Sequence, residues 1–139
     1  MKRIAWAALV TAAIGTGLHW AGGIRTAQGE SEAEPEQPPL WGALAIETGQ
    51  GTAWGWAIDA PSLQEAERHA LAQCGGNCGV VMRFNGQCAA MAAGKDGDAI
   101  VFGWAKDPYE HRARNMAVNA CAEKGGSLCM VQVAGCTSR

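Results

Sequence analysis

Trp54-Gly55-Trp56-Ala57-Ile58-Asp59 recurs as Phe102-Gly103-Trp104-Ala105-Lys106-Asp107, and this recurrence decides the fold. Each copy leads through a helix-like segment to a cysteine (Cys74, Cys121), then to another (Cys78, Cys129) and an apolar run. At an offset of 48, Trp56 falls on Trp104, Asp59 on Asp107 and Cys88 on Cys136; across the helix the offset is 47, with Cys74 on Cys121. Self-similarity at a fixed spacing marks a tandem duplication, in which each copy is one supersecondary unit.

Working outward, Trp41–Glu47 and Thr52–Ile58 are short apolar runs parted by Thr48–Gly51, the pattern of a β-hairpin. Ser62 and Glu65 form an S-x-x-E capping box that opens a helix running to about Cys74, where Gly75-Gly76 ends it. Its apolar stripe is Leu63, Ala66, Ala70, Leu71 and Cys74. Cys78–Phe84 reads as a strand with Cys78, Val80, Met82 and Phe84 on one face, and Asn85-Gly86 as a hairpin turn. The return from Cys88 to Ala93 aligns with Trp41–Ile46 and begins the second copy. There Gly94–Gly97 is the turn, and Asp107 is the expected N-cap of a helix with Pro108 at its first position, running to about Glu123. Cys129–Val133 is the matching strand, Ala134-Gly135 a turn, and Cys136–Arg139 a short return. The expected fold is α+β: two tandem β-β-α-β repeats related by a pseudo-twofold axis, a mainly antiparallel sheet covered by two helices.

Before the repeats, Lys2 and Arg3 precede an apolar run from Ile4 to Ile24, and Ala27-Gln28-Gly29 offers small residues for cleavage. Residues 1–29 therefore read as a secretory signal peptide. Residues 30–40, acidic and proline-containing, read as a flexible linker, and 41–139 as the folded domain. Beyond Gly29 eight basic residues face thirteen acidic ones, a net of −5. That balance disfavours nucleic acid as a partner and leaves nothing basic and amphipathic to hold a membrane once the leader is gone.

All six cysteines fall in the folded part of an apparently exported chain, so Cys74, Cys78, Cys88, Cys121, Cys129 and Cys136 are disulfide candidates. Assigning three to each copy makes the most symmetric pairing one equivalent bridge inside each copy and a central one between equivalent positions. The spacings Cys-x3-Cys, Cys-x9-Cys and Cys-x7-Cys lack the Cys-x2-Cys knuckles of structural zinc, so neither metal nor cofactor is expected.

The chain resembles the small exported bacterial proteins grouped as domain-of-unknown-function family 4189. The resemblance rests on Trp41-Gly42-Ala43-Leu44-Ala45, Gly55-Trp56, the helix from Glu65-Ala66-Glu67 to Cys74, Gly76-Asn77-Cys78-Gly79-Val80-Val81 and Cys88-Ala89-Ala90. It implies a fold and a periplasmic or secreted address, without an assigned reaction. The second copy carries Arg112 to Arg114 where the first has Glu65 to Glu67.

An enzyme needs a converged nucleophile, base and charge stabiliser. Asp59, His69 and His111 are the candidates, alongside Asp107, Ser62 and Arg83. The histidines fall on polar helix faces, and the repeated aspartates suit caps or turns. The expected function is thus a non-catalytic, exported binding module with a protein partner, of the inhibitor or immunity type. The alternative is a secreted effector or small hydrolase using Asp59, His69 or His111. Trp41, Trp54, Trp56 and Trp104 are the candidate partner-binding residues, the structural alternative being core aromatics. Function is expected where the copies differ: Trp41, Trp54, the Glu65–Glu67 and Arg112–Arg114 faces, and the loops Thr48–Gly51 and Gly94–Gly97.

Overall fold

A computed structural model describes residues 36–49 and 51–138. The expected signal segment and residues 30–35 of the linker lie outside the described residues. The elements are β1 (Trp41–Glu47), β2 (Trp54–Ala60), α1 (Leu63–Cys74), β3 (Cys78–Asn85), β4 (Cys88–Asp96), β5 (Ala99–Asp107), α2 (Glu110–Glu123) and β6 (Ser127–Cys136). The duplicated β-β-α-β architecture is as expected, and the antiparallel ladder is divided into two three-stranded sheets, ordered β2-β1-β3 and β5-β4-β6. In each, the first strand of the repeat lies in the middle and the helix crosses from one edge to the other.

The two sheets face each other, and each carries its helix on the outer side. Alternation along the central strands builds this. On β1, Ala43 and Ala45 meet α1 while Leu44 and Ile46 enter the core between the sheets. On β4, Ala90 and Ala92 meet α2 while Ala89 and Met91 turn inward. Burial on both faces explains why these strands read as continuous apolar runs. The shared core joins Leu44, Ile46, Met82 and Phe84 to Met91 and Phe102, each large side chain contributing about 1.5–3 kcal/mol when fully buried.

The helices lie close because the contacting residues are small. A Cβ on Gly55 would overlap the Ala70 carbonyl oxygen, and one on Gly103 would overlap the Cys121 amide nitrogen and the Ala117 carbonyl oxygen. Ala66 and Ala70 on α1, and Ala113 and Ala117 on α2, complete these contacts fully buried.

Helix α1 starts as expected, the Glu65 amide donating to Ser62 Oγ at 3.2 Å, and ends at Gly75 with φ of 80°. Helix α2 starts later than expected: its N-cap is Tyr109, without a side-chain cap bond. Asp107 instead accepts from the Tyr109 amide at 2.9 Å, closing a turn ahead of the helix.

The single-face reading of Cys78–Phe84 is corrected by a bulge. Leu44 pairs with Met82 but Ala45 with Val80, leaving Val81 unmatched. The alternation therefore switches: Met82 and Phe84 face the opposite sheet, whereas Cys78 and Val80 face α1. The same irregularity recurs on β6, where Met91 pairs with Val133 and Ala92 with Val131, leaving Gln132 unmatched. The expected Ala134-Gly135 turn is also absent. Strand β6 continues through Ala134 and Gly135, opposite Ala90 and Ala89, to Cys136 opposite Cys88.

All six cysteines pair. Cys74–Cys78 and Cys121–Cys129 are equivalent bridges tying each helix to the strand that follows. Cys88–Cys136 is the third, the pairing expected of the two residues at an offset of 48, but both lie in the second sheet, so the bridge does not join the halves. Cys88 opens β4, the counterpart of Trp41 on β1, and Cys136 closes β6, the counterpart of Asn85. The first half holds two cysteines and the second four, and the Trp41–Asn85 pair occupies the place of the third bridge.

Two stability results follow. Gly103→Ala should cost about 1–3 kcal/mol in urea unfolding, whereas Gly79→Ala, whose Cβ meets only Thr48 Cγ2 at 3.6 Å, should stay within about 1 kcal/mol of the parent. Replacing Cys88 and Cys136, separated by 48 residues, with serine should cost about 4 kcal/mol, against about 2 for the Cys74–Cys78 pair, four residues apart.

Candidate functional site

The second sheet is longer than the first. Its strands run nine, nine and ten residues, against seven, seven and eight. The excess lies at the β4–β5 hairpin and the start of β6, where the second sheet overhangs the first. Among the described residues no strand covers its inward face there, which forms a cleft of about 450 Å3. Trp54 and Thr52 close the cleft from the first sheet, Ile100 and Phe102 from β5, and Leu128 and Met130 from β6. Leu128 is 90 % exposed and Met130 66 %. Lys95 is the charged side chain among the lining residues. A concave apolar site with few polar groups is what ligand and partner sites have in common.

Backbone geometry sets the rim. Leu128 has φ of 51°, in the left-handed region that costs a side-chain-bearing residue energy. It is held between Gly126 and the Cys121–Cys129 bridge, with Ser127 Oγ donating to the Lys95 carbonyl at 2.8 Å. Behind them, a Cβ on Gly94 would come 2.6 Å from Cys129 Sγ and 2.9 Å from Cys121 Sγ. The second-half cystine therefore lies behind β4, on its helix side, and glycine lets the strand rest against it.

The four indoles do not share one patch. Trp54 lines the cleft. Trp56 packs into the inter-sheet core, its ring 5.1 Å from that of Phe84. Trp104 packs at the same core on the β5 side, with Lys124 Nζ 3.6 Å above its ring. Trp41 packs on the opposite face of its sheet, against the α1 cluster. Burial lowers the Lys124 pKa below that of a free lysine, while its ammonium donates to the Phe102 carbonyl at 2.9 Å.

The repeated aspartates, expected to serve as caps or turns, perform different tasks. Asp107 is buried and also lies 3.4 Å from Arg112 Nε. Asp59, at φ of 55°, accepts from the Ser138 amide at 2.6 Å and Ser138 Oγ at 3.0 Å, tying the C-terminal segment to β2. His69 lines a smaller depression of about 360 Å3 with Asp59, Trp56 and Ile58. His111 lies on the other helix beside Tyr109, ring centroids 6.0 Å apart. The two histidines thus occupy opposite outer layers. The polar helix faces are engaged locally: Glu67 pairs with Arg83, and Arg114 with Glu110. Among the described residues, His, Cys, Asp and Glu side chains form no cluster of three or more suited to a metal. No described helix is long and apolar enough to cross a membrane.

Sequence reasoning missed Leu128, placed before the expected strand, and the overhang itself. An apolar side chain directly after Gly125-Gly126-Ser127, in a copy with a longer β4–β5 hairpin, is the signal that could have found both.

Asp59→Gly keeps the left-handed backbone and removes the acceptor. It should speed hydrogen exchange at the Ser138 amide and lower stability by about 1.5 kcal/mol in denaturant titration. A family model described as a domain of unknown function, DUF4189, matches residues 41–136. No curated protein and no solved structure matches the chain at a significant level.

Proposed function

The chain belongs to the DUF4189 family, and from that premise we propose that it is an exported, disulfide-stabilised binding module of the inhibitor or immunity type. Its partner is another exported protein, which inserts an apolar segment into the cleft. The observation that carries this reading is the overhang, which leaves Leu128 and Met130 exposed beside Trp54, Ile100 and Phe102. Contiguous exposed apolar surface marks interaction sites, and indole and aliphatic anchors in a concave site supply most of the energy of such contacts. Export is supported by the apolar leader and by six cysteines all engaged in bridges, which persist in oxidising compartments. The cystine behind the rim holds the site rigid before the partner arrives, so little ordering entropy is lost on binding.

A photo-reactive residue in place of Thr52, in the exporting cell, should give one discrete adduct with a different protein. Trp54→Ala, with all six cysteines still oxidised, should weaken that association about 30-fold. Failure to form a heteromeric adduct, or one indifferent to Trp54→Ala, overturns the reading. Turnover of peptidoglycan, ester or peptide substrates that is lost in Asp59→Asn or His69→Ala would replace it with a hydrolase.

A further inference from the structure

The three cystines are not equally sheltered. Cys74 and Cys121 are buried, and their partners Cys78 and Cys129 are half-buried against the helix clusters. Besides the Gly94 backbone, Gly126 also walls the Cys121–Cys129 bridge, since its Cβ would come 2.7 Å from Cys121 Sγ and 2.8 Å from Cys129 Sγ. In the third bridge Cys88 is buried beneath the start of α2, but Cys136, which closes the outer strand β6, is exposed. It is the one exposed cysteine of the six.

Place in the repeat also sets this bridge apart. Cys74–Cys78 and Cys121–Cys129 occur at equivalent positions in both halves, whereas Trp41 and Asn85 stand opposite each other where the second half has Cys88 and Cys136. There the repeated unit closes by strand pairing and an indole packed on the helix cluster, without sulfur. The second sheet has comparable support on either side of Cys136. Ala89 pairs with Gly135, Ala90 with Ala134 and Met91 with Val133, and beyond the bridge the Thr137 amide donates to the Gln87 carbonyl at 3.1 Å.

We propose that Cys88–Cys136 is a thiol-exchange site, opened and re-formed by a dithiol redox partner while the two repeated bridges stay closed. A thiolate of the dithiol attacks Cys136 Sγ, because exchange requires access to the sulfur attacked and the other end of the bridge is buried. A new S–S bond joins the two molecules as the Cys88–Cys136 bond breaks, its electron pair leaving on the Cys88 sulfur. That thiolate takes a proton from water, and the Pro108 carbonyl oxygen, 3.5 Å from Cys88 Sγ, is placed to accept from the thiol so formed. The dithiol's second thiolate then attacks its own bridged sulfur and releases Cys136, which is protonated in turn. Two protons lost by the dithiol are thus regained by the cystine. The dithiol ends as a disulfide, the cystine as two thiols, and the reverse sequence restores the bridge. Lys95 and Ser127, which line the cleft, lie at the opposite end of β4 and β6, so exchange and occupation of the cleft are separate properties.

The purified, oxidised chain, treated with graded dithiothreitol and quenched by alkylation, should label Cys88 and Cys136 at least about tenfold faster than the other four cysteines by peptide mass spectrometry. Its far-UV circular dichroism should stay unchanged as that bridge opens. Limiting glutathione, with alkylation of the thiol it releases, should leave its mixed disulfide on Cys136. Gly103→Ala should not alter the rate of opening, whereas reduction that waits for global unfolding would quicken roughly fivefold or more in this destabilised variant. Simultaneous reduction of all three bridges overturns the proposal, as does loss of the dichroism signal on opening. So does a glutathione adduct that forms first on another cysteine, or an opening rate that rises in Gly103→Ala.

Discussion

Each helix rests on its sheet at backbone distance, and the rest of the structure depends on that contact. Gly55 and Gly103 are where the strand backbone meets the helix backbone, and alanines at Ala66, Ala70, Ala113 and Ala117 supply the matching surface. The approach fixes composition on either side. Central strands β1 and β4 must be small on the helix side, so their larger residues are confined to the other face, where the two sheets meet. A sandwich of four thin layers results, in which dispersion and burial are spread over many small groups. Such a core is modest for about one hundred residues, and three cystines add stability by limiting the unfolded chain.

The bulges at Val81 and Gln132 reconcile two demands that strict alternation cannot meet. Cys78 and Cys129 must turn toward the helices to reach Cys74 and Cys121, while Met82 and Val133 must turn toward the opposite sheet. Two residues an even number of positions apart would share a face in a regular strand. One inserted residue reverses the phase between them. That both halves carry the insertion at equivalent places identifies it as part of the repeated unit.

Much of this was legible in the residues, through signals that act locally. The recurrence of Gly-Trp-Ala, the capping box at Ser62 and the glycines after each helix placed both repeats and their helices. The readings that needed correction depended on pairing between strands. Cys88 and Cys136 pair as their shared offset suggests, yet the ladder sets them face to face within one sheet, so their bridge does not span the two halves. Asp59 and Asp107 share an offset too, but only Asp59 meets the C-terminal segment, a contact 79 residues away in the chain. Of the candidate site, Trp54 and the Gly94–Gly97 loop were identified as places where the copies differ, whereas Leu128 and Met130 were not. Their exposure arises from unequal strand lengths in two sheets, a quantity defined only once both are stacked.

By itself, then, the sequence determined the repeat, the order of strands and helices, the glycine and alanine positions and the inventory of cysteines. Each is set by steric and hydrogen-bonding preferences within a few residues. Tertiary structure decided that the ladder divides into two sheets, which face of β3 and β6 each residue occupies, which cysteines oppose one another, and that one sheet outreaches the other. These depend on register and stacking between segments far apart in the chain, where a shift of one residue exchanges the two faces of a strand.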